Sequence, residues 1–247
     1  MPQAVSLLRS ARLARSAKPF IARGSRSERC PDCRVTFKHC LCTLRPTVAT
    51  RAGVCLIMAD IEPLKPSNTG WLIADVVADT AAFGWARTEV DPALLAMLAD
   101  PQWQPYLVFP GEFVEAARVV TEVLPPEDAH TGPLKRPLFV LLDATWTEAR
   151  KMFRKSPYLN HLPVLSLQPA QLSRYQLRRS KRADHLCTAE VAALCLELAG
   201  ETHAAQVMDA YFDVFTNHYL AAKRLVAIDW EDAVHLRLRG LVVTPVK

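Results

Sequence analysis

The sequence predicts an α/β protein with a mostly parallel sheet, helices on both faces, and a small cysteine-rich knuckle near its N-terminus. Short apolar runs of strand length alternate along the chain with segments of helical period. Those runs are apolar at nearly every position, as in strands covered on both faces. With half of its 247 residues hydrophobic, the chain can also bury one sizeable core.

In order, "GVCLIMA" (53–59) is the first buried strand. After "EPLKPS", Asn68 is placed to cap a helix on which Trp71, Leu72, Asp75, Val76 and Asp79 fall at helical spacing. "AAFGWART" reads as a strand, and "DPALLAMLAD" as a short helix capped by Asp91 with Pro92 in its first turn. "PYLVFP" is a strand, "EFVEAARVVTEV" a helix, and 125–133 a loop. "PLFVLLD" is the next strand, followed by a helix from Thr145 to about Ser156. "VLSL" is a further strand, 174–182 a basic loop, and helices over 188–199 and 203–224 close the fold. This divides the chain into a basic, disordered extension (1–27), the knuckle (28–46), an α/β domain (47–228) and a tail (229–247).

Charge is distributed unevenly. Residues 1–50 hold ten Lys/Arg against two Asp/Glu, and residues 135–182 hold eleven against two, while the whole chain carries only +5. Two basic regions on an acidic body suit a phosphate-rich partner. The first 29 residues have no acid before Glu28 and lack the apolar core of a secretory signal. No apolar stretch approaches the roughly 20 residues that span a bilayer, so a soluble, cytoplasmic protein with no membrane partner is expected. Of eight glycines no two are separated by a single residue, and G-x-x-x-x-G-K-[ST] is missing, which excludes the common dinucleotide and P-loop sites.

Four of seven cysteines fall within "CPDCRVTFKHCLC": Cys30, Cys33, Cys40 and Cys42. Two close pairs on a short loop can converge on one tetrahedral zinc without a large core, provided the chain turns at Leu41. The same residues could instead form two disulfides, which needs an oxidising compartment, or hold an iron–sulfur cluster. Cys55, Cys187 and Cys195 lie in apolar surroundings and read as core. Arg29, Arg34, Lys38 and Arg45 around the knuckle are expected to contact nucleic acid.

The corner "LLDATWTEARKM" (141–152) joins a strand to a helix. Thr145 and Glu148 form a capping box there, which leaves Asp143 and Trp146 unexplained by capping. A carboxylate at a strand end is placed to take a proton or orient a polar substrate, its plainer role being a second cap. Trp146 is either core or a face for a flat base or a cation.

"DATW" resembles the D-x-T-W signature of the DTW-domain family, the tRNA-uridine aminocarboxypropyltransferases. The likeness extends, in the family's order, through the four-Cys cluster, "EPLKPSNTGWL", "LVFPGE", "SPYL", "YQLRRS" and "LCTAEVAALCLEL", from about residue 29 to 200. One departure is Ala59, where family members often carry His. The resemblance implies transfer of the 3-amino-3-carboxypropyl group of S-adenosylmethionine to N3 of a tRNA uridine, releasing methylthioadenosine. It also implies a relationship to SPOUT-type enzymes, whose sheet is knotted, and a structural zinc. Asp143 is then the catalytic candidate. Phe109, Pro110, Thr145, Trp146, Leu186, Thr188 and Glu190 are candidates for the donor pocket, with Thr188 opening a helix whose N-terminus suits a carboxylate. Glu190 is equally explained as a first-turn helix acid. Asn68, Thr69, Arg174, Tyr175, Arg178, Arg179, Lys181 and Arg182 are the RNA-binding candidates, the last six crowded into a basic stretch containing no acid. The competing readings are a SPOUT-like RNA methyltransferase and a non-catalytic, zinc-containing RNA-binding protein.

Overall fold

The computed structural model describes residues 3–18, 20–21, 27–123, 135–167 and 186–243. Six parallel strands form one sheet: β1 (Gly53–Met58), β2 (Thr80–Gly84), β3 (Trp103–Val108), β4 (Val119–Val120), β5 (Arg136–Asp143) and β6 (Val164–Leu165), in the order β2-β1-β5-β3-β6-β4. β5 therefore inserts between β1 and β3, pairing Met58 with Asp143 and Val108 with Leu141. The connection from β6 toward the C-terminal helices, where any threaded passage would run, lies outside the described residues.

Alternation along the strands divides the core in two. Val54, Leu56, Met58, Phe139 and Leu141 face α2 (Gly70–Val76), α5 (Thr188–Leu198) and α6 (Thr202–Arg224), together with the cysteine knuckle. Cys55, Ile57, Leu138 and Val140 face α3 (Pro92–Ala99) and α4 (Trp146–Arg154). Both faces are covered, as continuous apolar strands require. Asp91 caps α3 by accepting from Ala93 N–H, and Thr145 with Glu148 completes the capping box of α4.

Three elements differ from expectation. Residues 4–14, expected to be disordered, form α1 (Ala4–Ala14), which buries Val5 completely. This helix packs along β2, the edge of the sheet, and pairs Arg12 with Asp60, so its basic composition belongs to an outer face on a covered edge. Residues 112–123, expected as a helix, form two 3₁₀ turns and then β4. The Val119–Val120 pair finds β6 as its partner, and Arg118 donates to the carbonyls of Leu159 and Leu162, so tertiary pairing overrides the local pattern. Residues 233–243, expected as part of a tail, form α7 (Ala233–Val243) on α6. A buried polar chain docks it. His235 Nδ1 lies 2.6 Å from Asp232 Oδ1, His235 Nε2 lies 2.8 Å from His218 Nε2, and His218 Nδ1 lies 2.8 Å from the carbonyl of His39.

No helix among the described residues is long and apolar enough to cross a membrane.

Candidate functional site

The carboxyl ends of parallel strands are where such sheets bind ligands. Asp143 is the last residue of β5, and by alternation it points to the face on which α2 and α5 begin. It is 3% exposed. Its Oδ2 accepts from Asn68 Nδ2 at 2.7 Å, and its Oδ1 accepts from the Thr188 hydroxyl at 2.7 Å.

Each partner is held in turn. Asn68 Oδ1 accepts from Gly70 N–H at 3.0 Å, so Asn68 caps α2 from outside its Thr69 N-cap while presenting its amide to Asp143. Asn68 Nδ2 also lies 3.3 Å from Glu62 Oε2, and Lys65 Nζ pairs with Glu62 Oε1 at 2.6 Å. Thr69 Oγ1 accepts from Ala189 N–H, and Glu190 Oε2 accepts from Cys187 N–H at 2.8 Å, closing the first turn of α5. The N-termini of α2 and α5 thus meet at one carboxylate, surroundings that suit an anion.

Asn68, Thr69, Asp143, Thr188 and Glu190 are therefore brought together, with Leu186 leading into α5. Asn68 and Thr69, RNA-binding candidates, are buried in this network. Trp146 is not part of it. Its ring stacks on Phe109 at 5.5 Å, Phe109 stacks on Phe153 at 4.4 Å, and Phe113 lies 5.7 Å from Trp146 with Arg150 over its ring. This aromatic group packs on the opposite face of the sheet, so the acid and the indole of one motif occupy two sides of the same edge. Pro110 leads into the 3₁₀ turn whose Gly111 N–H donates to Ser166 Oγ at 2.9 Å, tying the loop after β3 to the end of β6. Thr145 is exposed and occupied with the capping box. Ala59 closes β1, donates its N–H to the Asp143 carbonyl, and turns its side chain to the Phe109 face. Arg174, Tyr175, Arg178, Arg179, Lys181 and Arg182 lie outside the described residues. Their segment leaves from Leu167, just past β6, and returns at Leu186, two residues from Thr188.

The four knuckle cysteines converge as expected. Cys30 and Cys42 sulfurs are 3.6 Å apart, as are those of Cys33 and Cys40, and all four lie within 4.8 Å of one another. A tetrahedral zinc with bonds of about 2.3 Å has ligand edges of about 3.8 Å, so this donor set could hold one such ion. All seven cysteines are free. The turn falls at Leu41 (φ −114°, ψ 12°), between 3₁₀ turns at Phe37–His39 and Cys42–Leu44.

Among the knuckle cations, Arg34 departs from the expectation of a nucleic-acid face. Arg34 is 2% exposed, lies 5.1 Å over Trp71, and donates from Nη1 to the carbonyl of Pro63. Arg45 pairs with buried Asp75, whose carboxyl is pushed up to about 6 by burial. Arg29 donates to the Arg34 carbonyl and lies over Tyr219. Of the four, Lys38 and Arg45 are exposed. Glu62, Lys65 and Arg34 are the site neighbours that sequence reasoning missed; the available signal was a buried-type block, "EPLK", carrying an acid and a base three residues apart.

A family model described as the DTW domain matches residues 27–220, which span the knuckle, the sheet and the network around Asp143. No solved structure matches the chain.

Proposed function

The chain belongs to the DTW-domain family of tRNA-modifying enzymes, and on that premise we propose that it transfers the 3-amino-3-carboxypropyl group of S-adenosylmethionine to N3 of a uridine in tRNA. The observation that carries this reading is Asp143 at the carboxyl edge of the sheet, with Thr188 on one oxygen and Asn68 on the other. N3 of uracil is a poor nucleophile while protonated. Thr188, half-buried where Asp143 is buried, is the outer member of the pair and passes the N3 proton to the carboxylate. N3 then bonds to the γ-carbon of the amino-acid chain, the carbon–sulfur bond breaks, and its electron pair stays on sulfur, so methylthioadenosine leaves uncharged. The sulfonium has three electrophilic carbons, and position decides among them. Phe109 and Trp146 with the loop at Pro110 form the apolar wall of the donor pocket, Leu186 and Glu190 frame its other side, and the basic residues from Arg174 to Arg182 bind tRNA phosphates. Cys30, Cys33, Cys40 and Cys42 would hold a zinc ion, whose role would be to keep the knuckle folded.

Asp143→Ala is expected to abolish the modified nucleoside, measured by mass spectrometry of tRNA from cells carrying the variant, while zinc content and tRNA affinity persist. Equal loss of tRNA binding would make Asp143 structural instead. The released small molecule separates this reaction from methyl transfer, which would yield adenosylhomocysteine.

A further inference from the structure

Arg34 carries features that metal binding by its neighbour Cys33 does not require. Its backbone is left-handed at φ 61°, a strained conformation for a residue with a Cβ. Its guanidinium is buried, and its Nε and Nη2 find no hydrogen-bond acceptor among the described residues. Arg9 of α1 is half-buried and its Nε also lacks an acceptor among the described residues, on a helix that packs against α2 and the 3₁₀ turn at Glu62–Leu64. Buried guanidinium donors left without acceptors are a costly arrangement unless an anion meets them. Arg34 lies over Trp71 of α2, the helix that Asn68 caps while donating to Asp143, which puts it in the same neighbourhood as the candidate site. Its one hydrogen bond within that neighbourhood goes to Pro63, next to Glu62 in the loop that leads to Asn68.

We propose that Arg34, with Arg9 beside it, is an oxyanion subsite that receives the α-carboxylate of the donor substrate. This rests on the transfer reaction proposed above. The planar fork of a guanidinium matches a carboxylate in two parallel hydrogen bonds. The carboxylate stands three bonds from the γ-carbon, so anchoring it fixes which of the three electrophilic carbons faces N3. Arg34 is thus a specificity-determining residue: it selects the amino-acid chain for transfer over the methyl group. Arg9 marks the solvent side of the pair, which makes α1 part of the pocket.

The test is isothermal titration of the full chain, loaded with zinc and without tRNA so that no transfer consumes the donor, using three probes. These are S-adenosylmethionine, its decarboxylated form, which lacks the α-carboxylate, and methylthioadenosine, which lacks the whole amino-acid chain. The natural protein should prefer S-adenosylmethionine over the decarboxylated form by about tenfold or more. Arg34→Gln should lose that preference, with unchanged zinc content and unchanged affinity for the other two probes. Arg9→Gln should lower the preference in the same direction, and it decides the matter if Arg34→Gln does not fold. A preference that survives in both variants overturns the subsite, as does a fall in methylthioadenosine affinity parallel to that of the full donor. Donor binding without any carboxylate preference in the natural protein overturns the subsite alone. Failure to bind any of the three overturns the proposed reaction as well.

Discussion

A methyl group at position 70 would lie 2.5 Å from Asp143 Oδ2, and this contact explains why the first residue of α2 is glycine. Gly70→Ala must push the carboxylate from Asn68 or shift the start of the helix. It is expected to lower modification activity at least tenfold while costing about 1–3 kcal/mol of stability, read from nucleoside mass spectrometry and denaturant melts. Asp75 sets a pH dependence. Its carboxyl is pushed up to about 6, above the usual aspartate value of 3.8, by burial and is opposed by Arg45. A raised acid contributes stability that is present in full below its unfolded pKa and is lost as pH rises through the folded one. Relative to Asp75→Asn, the natural protein should therefore lose stability between about pH 4 and pH 6, with little further change above. The difference is about 2–3 kcal/mol at most, less what the lost Arg45 pairing returns. Denaturation at several pH values reads this directly, and a constant difference would count against it.

Among the elements, those whose neighbours along the chain decide their form were legible in the sequence. β1 and β5 are continuous apolar runs, α3 has its Asp–Pro start, and α4 its capping box. The elements that failed are decided by partners far away. β4 exists because β6 lies beside it, and α7 because His235 meets His218 of α6 and Leu238 joins the core there. α1 was hidden by its composition, since nothing local distinguishes a basic helix on a sheet edge from a basic tail. The site divides the same way. Asp143 and the four cysteines were readable from motif and spacing, whereas the inward turn of Arg34 depends on one backbone angle and on Trp71, 37 positions later. Removing residues 1–15 should uncover β2 and the Val5 pocket. The expected result is a loss of about 2–3 kcal/mol, a drop of roughly 5–10 °C in Tm, and a greater tendency to associate through the bared edge.

At the scale of the molecule, the sheet edge separates a polar face around Asp143 from an aromatic face around Trp146, and the basic segment departs from and returns to that edge. On the proposed reading, RNA binding and chemistry share one rim. Replacing Arg178 and Arg179 with Gln should weaken tRNA binding across sequences and reduce the slope of log affinity against log salt by about 1–2, measured by filter binding at several salt concentrations. An unchanged slope would remove the segment from the interface. The seam that fastens the last helix carries a further consequence. Asp232, His235, His218 and the His39 carbonyl are joined by three hydrogen bonds. Those bonds link α7 to α6 and α6 to the 3₁₀ turn at Phe37–His39, so whatever loosens the cysteine loop also loosens the chain's last helix.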